Sequence, residues 1–411
     1  LSGQKRIRVL IVDDSAIARD LLERGLSADP DIEVVGKAAD AYVARDKIVL
    51  LKPNVMTLDV EMPRMDGIAF MRKLMPQYPI PVVVVSAVTA EGSRRALEAL
   101  EAGALEVVAK PSARDPAGLK AMIADLTEKV KNVSRADPGK LLASLKSTTD
   151  YQGGQHGDGG TAPAGQTLVR KASTYQSDST PSSSPAGGSG SGNSATAARP
   201  EALKAAIRSA MATAAAVRKV IAIGASTGGT TALARIVTML PADAPPVLIV
   251  QHMPPVFTRM FAESMNRQSR VEVREAEDGD TLMRGRVLIA PGDRHLRIRK
   301  AGSGYIVGLS DGPKVCGHRP SVDVLFASVA DLVGAEAVAA LLTGMGRDGA
   351  DGLLAIRRAG GRCVAQDEST SVVFGMPREA WENGAAEMLV PIDNMAHEIM
   401  TRAGGSLLRG A

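Results

Sequence analysis

Three polar residues in the C-terminal half stand just past apolar runs, each in or beside a tight turn. They are Ser226 in Gly224-Ala-Ser-Thr-Gly-Gly229, His252 in Gln251-His-Met-Pro254, and Asp348 in Thr343-Gly-Met-Gly-Arg-Asp-Gly-Ala350. An alcohol, an imidazole and a carboxylate are the parts of an acyl-transfer site. The imidazole takes the alcohol's proton, the carboxylate orients the imidazole, and backbone N–H groups receive the oxyanion. Positioned base catalysis is worth about 10²- to 10⁴-fold and an oxyanion donor about 10²- to 10³-fold. Plainer explanations fit each residue too. Ser226 or Thr227 caps a helix, or its turn cradles a phosphate; a lone strand-end histidine such as His252 is commonly structural; Asp348 caps the helix after it. The turn at Ser226 matches none of the standard serine, dinucleotide or P-loop patterns. His295 in Pro291-Gly-Asp-Arg-His295 and His318 in Gly317-His-Arg-Pro-Ser-Val-Asp323 are rival bases.

The elements that must position these residues are strands. Val220–Gly224 is a short apolar run leading through small residues into the helical pattern Thr231–Met239, which reads as strand, sharp turn and helix start. Pro246–Val250 and Val338–Leu342 are two further apolar runs, ending at His252 and in the turn that carries Asp348. In an open parallel sheet the carboxyl ends of all strands share one rim, where such proteins keep their sites. Glycines there admit close approach, and the following helix supplies unpaired N–H groups.

The first segment has its own alternation. Runs at Ile7–Val12, Ile32–Val35, Val55–Leu58, Val82–Val85 and Leu105–Ala109 alternate with helical stretches, so five βα units imply a doubly wound parallel sheet. Asp13 and Asp14 end the first strand, Asp59 the third, Ser86 the fourth and Lys110 the fifth. Three carboxylates on one rim repel one another unless a cation sits among them, so the spacing predicts a Mg²⁺ site. A carboxylate beside Mg²⁺ can attack a phosphoryl group, with Lys110 and Ser86 receiving the transferred oxygens.

On these residues, with Asp59 inside Leu58-Asp-Val-Glu-Met-Pro-Arg-Met-Asp-Gly67, Ser86-Ala87 and Lys110-Pro111, the first 130 residues or so resemble the receiver domain of two-component response regulators. The resemblance implies a flavodoxin-like fold, Asp59 as phospho-acceptor, and Asp14, Asp59 and the Glu61 carbonyl as direct Mg²⁺ ligands, with Asp13 acting through water. Many receivers carry an aromatic three residues before the lysine as a switch; Val107 stands there in this chain.

At 411 residues and 45% apolar content the chain has room for two or three cores. From Ser144 onward Gly, Ser, Thr, Ala and Pro dominate, a composition that cannot bury a core and should be disordered; His156 lies within it, solvated. The expected organisation is a receiver at 1–130, a flexible linker at 131–200 and a catalytic domain at 201–411. A coil of ~56 residues spans about 40 Å, so it tethers the two ends without orienting them. Glu201–Lys219 is alanine-rich and helix-favouring. A net charge of +4 with interleaved signs, and few aromatics, speak against nucleic-acid binding. Cys316 and Cys363 give no disulfide framework or metal spacing and are expected to pack in the interior of a protein of a reducing compartment. The apolar run after Lys5-Arg-Ile-Arg8 is too short for a signal peptide, and no apolar window approaches the ~20 residues of a membrane span, so a soluble cytoplasmic protein is expected.

The motifs around Ser226, His252, His295 and Asp348, with Arg319-Pro-Ser-Val-Asp-Val-Leu-Phe326 and Ala365-Gln-Asp-Glu-Ser-Thr-Ser-Val-Val-Phe-Gly-Met-Pro377, resemble the response-regulator type of chemotaxis protein-glutamate methylesterase. They cover nearly all of Val220 to Met400. The resemblance implies a second doubly wound α/β domain, mostly parallel, of the serine-hydrolase kind. It implies hydrolysis of glutamyl methyl esters on chemoreceptor cytoplasmic helices, with methanol released and glutamine deamidation as a second activity. Carried over, Ser226 is nucleophile, His252 base, Asp348 orienting acid, the Met345 N–H the oxyanion donor and Thr227 a support for the histidine, with no cofactor in this domain. A chemotaxis histidine kinase would be the phospho-donor, and the unphosphorylated receiver would cover the active site. Arg259, Arg267 and Arg270 are ordinary solvated surface or a help in meeting acidic receptor helices. A non-catalytic phosphorylation-dependent binding module is the alternative for this half; a DNA-binding regulator lacks a recognition helix.

Overall fold

The computed structural model describes residues 6–62, 66–87, 89–111, 115–143 and 217–405. Most of the expected linker, with His156 and residues 201–216 of the alanine-rich stretch, lies outside the described residues. The first half contains β1 (Ile7–Val12), α1 (Ala16–Ser27), β2 (Ile32–Ala38), α2 (Ala41–Leu51), β3 (Val55–Leu58), α3 (Gly67–Leu74), β4 (Val82–Ala87), α4 (Ala90–Glu101), β5 (Glu106–Lys110) and α5 (Pro116–Val133). Its five strands pair in parallel in the order β2-β1-β3-β4-β5. Valine-rich β4 is a nearly continuous apolar run, and β5 is apolar between its charged ends Glu106 and Lys110, because helices cover both sheet faces. Asp40, Asp66, Thr89 and Asp115 cap the helices that follow them, which sets where each chain segment turns back.

α5 passes the expected domain boundary at 130, and residues 138–143 are again helical. The physical reason is a continuing apolar stripe: Met122, Leu126, Val130 and Val133 are all buried, at helical spacing. The beginning of the expected linker is therefore structured and touches the second half, through Asp137 N to Val372 O at 3.4 Å and Lys140 Nζ to Glu368 O at 2.6 Å.

The second half is built on β6 (Val220–Ala225), β7 (Val247–Gln251), β8 (Glu272–Glu275), β9 (Arg286–Ile289), β12 (Ala337–Leu341), β13 (Arg362–Gln366) and β14 (Met388–Val390), with a separate antiparallel hairpin of β10 (His295–Ala301) and β11 (Gly304–Ser310). The seven-stranded sheet runs β14-β13-β12-β6-β7-β9-β8, every pairing parallel. β6 lies between β7 and β12, so the chain reverses direction across the sheet at β6, the place where open α/β sheets form a crevice. Cys363 packs in the core as expected; Cys316, in contrast, is exposed on a loop at φ +50°, and both thiols are free. Among the described residues no helix is long and apolar enough to cross a membrane.

One glycine sets how closely the layers meet. A Cβ on Gly224, near the carboxyl end of β6, would press into Val322 and Leu341. Helix Val322–Leu332 can lie against β6 only because that atom is absent. Gly224→Ala is expected to lower stability by about 1–3 kcal/mol through overpacking, read as a lower urea midpoint with an unchanged denaturant slope.

Candidate active site

Ser226 follows β6 directly, and Gly228 at φ +78° makes the turn into helix Gly229–Met239. The turn that carries Ser226 is tied from three sides. Ser226 N donates to Thr343 O at 3.0 Å, and the Ser226 carbonyl accepts from Gly229 N at 2.7 Å and from Gln251 Nε2 at 3.0 Å. The neighbouring loop comes close enough that a Cβ on Gly344 would meet the Ser226 Cβ at 2.7 Å.

His252 follows β7 at the matching position, its N–H donating to Ala225 O at 3.2 Å. Its Nε2 meets Asp348 Oδ2 at 2.8 Å, and its ring stacks on His318 with centroids 3.8 Å apart and planes 11° from parallel. Asp348 comes from the loop after β12, but it does not cap the helix that follows it. Its carboxylate accepts from Ser321 Oγ at 2.7 Å, Val322 N at 2.8 Å and Asp323 N at 3.1 Å, at the start of helix Val322–Leu332. Burial works against the charge, yet the hydrogen bond and charge of His252, then Ser321 and Val322, hold the carboxyl down to about 2. An ionised Asp348 accepts only, so His252 Nε2 carries a hydrogen, and in the neutral form of the ring Nδ1 is the nitrogen left with the lone pair. Nδ1 is buried with no partner among the described residues, so the Ser226 hydroxyl does not yet hydrogen-bond it.

Ser226, His252 and His318 line one cavity of about 250 Å³, together with Glu106, Asp125, Lys129 and Asn132 of the first half. The first half therefore covers this rim with β5 and α5. Thr227 Oγ1 donates to Glu106 Oε1 at 2.5 Å and so faces the first half, not the imidazole it was expected to support. Burial pushes the Glu106 carboxyl up, against the opposing effects of Lys129 and Thr227. No local spacing in the sequence pairs two residues so far apart, and Glu106 escaped notice as one polar residue at the start of an apolar run. Met345 is partly buried beside this core, and among the described residues nothing accepts from its N–H. Of the rival bases, His295 is occupied on both nitrogens, by Pro313 O at 2.9 Å and Ser321 N at 3.2 Å. His318 stays at the site as the stacking partner. Arg259, Arg267 and Arg270 are exposed, Arg259 beside Glu275.

At the other rim Asp13, Asp14 and Asp59 present carboxylate oxygens within 4.8 Å of one another. Lys110 Nζ reaches Asp13 at 2.9 Å and Asp59 at 2.5 Å. Burial raises the Asp13 carboxyl despite Lys110, and Lys110 is itself raised, burial being outweighed by Asp59 and Asp13. An all-oxygen set with one cationic neighbour suits a hard divalent cation. Ser86 Oγ donates to Gly92 O at 2.9 Å, so its hydroxyl must rotate before it can meet a phosphoryl oxygen.

The CheB methylesterase family model matches residues 221–399, and the response regulator receiver domain model matches residues 9–124. A protein-glutamate methylesterase/protein-glutamine glutaminase of Syntrophotalea carbinolica is 47% identical over 397 residues, 96% of this chain and 97% of its own length. A protein of the same name from Sulfurimonas denitrificans is 45% identical over 390 residues, 95% of this chain and 96% of its own. The solved catalytic domain of Thermotoga maritima CheB methylesterase aligns with 45% of this chain and 98% of its own, at 37% identity and a TM-score of 0.44.

The stacked imidazoles have a pH signature. Burial, then the charge of His252, lowers His318 from 6.5 to about 3. Between those values the unfolded chain binds a proton that the folded one refuses, so this residue makes stability fall as pH falls from 6.5 towards 3. The Asp348 contribution is present above its ordinary 3.8 and is lost as pH falls through about 2, so it leaves the window above 3.8 untouched. His318→Phe, which keeps a ring to stack, is expected to flatten the decline of the urea midpoint between about pH 6.5 and 4.5. An unchanged slope contradicts this.

Proposed function

The chain belongs to the protein-glutamate methylesterase/protein-glutamine glutaminase family, with a response-regulator receiver ahead of a methylesterase domain, and we propose that it demethylates glutamyl methyl esters of chemoreceptors, releasing methanol, and deamidates receptor glutamines. The observation that carries the chemistry is His252. One nitrogen is fixed on Asp348 and the other, which bears the lone pair of the neutral ring, has no partner among the described residues beside the turn of Ser226. Once the hydroxyl turns to Nδ1, Ser226 Oγ attacks the glutamyl carbonyl and its proton passes to His252. The oxyanion that forms is received by the Met345 N–H, whose lack of an acceptor supports that role. His252 returns the proton to the departing methoxide, and water repeats the sequence on the acyl-enzyme to release the glutamate. With a glutamine the leaving group is ammonia. Ester or amide hydrolysis changes no oxidation state, and on this reading its proton transfers fall to Ser226, His252 and Asp348, with no cofactor assigned to the domain.

Control resides in the receiver, taken as residues 1–130, joined through 131–200 to the catalytic domain at 201–411. Asp59 is the phospho-acceptor and a chemotaxis histidine kinase the donor. Asp13, Asp14 and Asp59 would hold Mg²⁺, which neutralises charge on the phosphoryl group in transfer, while Lys110 and Ser86 contact its oxygens. The covered cavity supports reading this arrangement as the resting, inhibited form of a cytoplasmic enzyme.

Methanol release from methylated receptor membranes should fall by about 10⁴-fold or more in Ser226→Ala. A rate within a few fold of the unaltered chain would remove Ser226 from the mechanism. Acetyl phosphate with Mg²⁺ should raise the rate of the full chain and leave that of Asp59→Ala unchanged, measured in the same assay. Equal stimulation of both would place control elsewhere.

A further inference from the structure

The docked receiver places a glutamate side chain, Glu106, in the cavity that contains Ser226 and His252, with its carboxyl on the hydroxyl of the residue after Ser226. A glutamate side chain is also what the proposed reaction leaves behind. We propose that Glu106 is an internal copy of the product, and that Thr227 Oγ1 is the donor that recognises the glutamyl carboxyl group of the substrate, a specificity role for which Glu106 is the resident stand-in. The inference rests on the esterase reading of this site and adds to it the residue that selects the acyl group.

Burial argues for recognition over incidental contact. Thr227 is 1% exposed and Glu106 7% exposed, so neither group can turn to bulk water while the domains are docked. The hydroxyl has no other described acceptor, since the remaining bond at this residue uses its carbonyl, which receives Thr343 Oγ1 at 3.0 Å. When the receiver leaves, a donor beside the nucleophile loses its acceptor, and an incoming ester or amide carbonyl of the same side-chain length can replace it. A site built around a hydrogen-bond donor discriminates against side chains that cannot accept. Glu106 competes for that donor without being consumed, because a carboxylic acid has no methoxide or ammonia to release.

Two arms test this in the full chain with methylated receptor membranes, each read as kcat and KM separately. Thr227→Val, assayed with acetyl phosphate and Mg²⁺, should raise KM by about tenfold, the equivalent of one hydrogen bond of about 1.4 kcal/mol, with a smaller change in kcat. Thr227→Ser, which restores the hydroxyl, should return KM to within about twofold. Glu106→Ala, assayed without phospho-donor, should raise kcat/KM several-fold, mainly by lowering the apparent KM as expected for loss of a competing occupant. Glu106→Gln retains a carbonyl acceptor and should keep the apparent KM closer to that of the unaltered chain than Glu106→Ala does; any hydrolysis of its amide by the site returns Glu106. The Ser226→Ala control separates the two readings: if it removes activity, the esterase assignment stands. Thr227→Val with an unchanged KM, or Glu106→Ala with an unchanged rate, then overturns this proposal alone. A fall in kcat alone in both Thr227 variants also overturns it, because it makes Thr227 structural.

Discussion

A single buried carboxylate organises the catalytic rim. Asp348 is 1% exposed and ionised, and a charge taken from water costs several kcal/mol unless its lone pairs are met. They are met by Ser321, two backbone N–H groups at a helix start and the imidazole of His252. The helix end supplies donors and a partial positive charge at the same place. The carboxylate therefore locks helix Val322–Leu332 to the rim and the histidine ring to the carboxylate. Gly224 completes the arrangement by letting that helix lie on β6, the strand that presents Ser226.

Parallel strand polarity explains why so much of this was legible beforehand. Apolar runs ending in Asp13, Asp59, Lys110, Ser226 and His252 all belong to strands of two parallel sheets, and the carboxyl ends of such strands must share a rim. The positions of the five receiver strands, and of β6, β7 and β12, differ from the periodicity reading by a residue or a few at their ends. What escaped the sequence depends on contacts with no local signal. Asp348 was legible as an acid on the rim, but not as the anchor of a helix beginning 26 residues earlier in the chain. His318 was one base candidate among several, because stacking on His252 is a property of two loops meeting. Thr227 looked like a support for the histidine until a partner from another domain was in place. Cys316 carried the apolar character of its residue type, but sits in a loop whose conformation leaves it outside.

The same geometry bears on how a receiver without the usual aromatic can control the esterase. Its fifth strand carries Lys110 at one end, paired with Asp13 and Asp59, and Glu106 at the other, against Thr227. Four residue steps of extended chain separate them, about 13 Å. Between these ends Val107 and Val108 are buried, and Lys129 of α5 donates to the Val107 carbonyl at 2.8 Å, so the strand is held on several sides. A phosphoryl group on Asp59, as proposed, would replace one of the two carboxylates that Lys110 now faces with a larger, more strongly charged acceptor. A shift of Lys110 would act on a strand that cannot stretch, and closely packed interiors transmit such strain instead of absorbing it. At the far end of that strand Glu106 meets Thr227 through one short hydrogen bond, so a displacement of β5 would bear directly on this contact. On the control proposed above, the route from Asp59 to the contact at Thr227 would be one strand long, with Val107 in it and no aromatic ring.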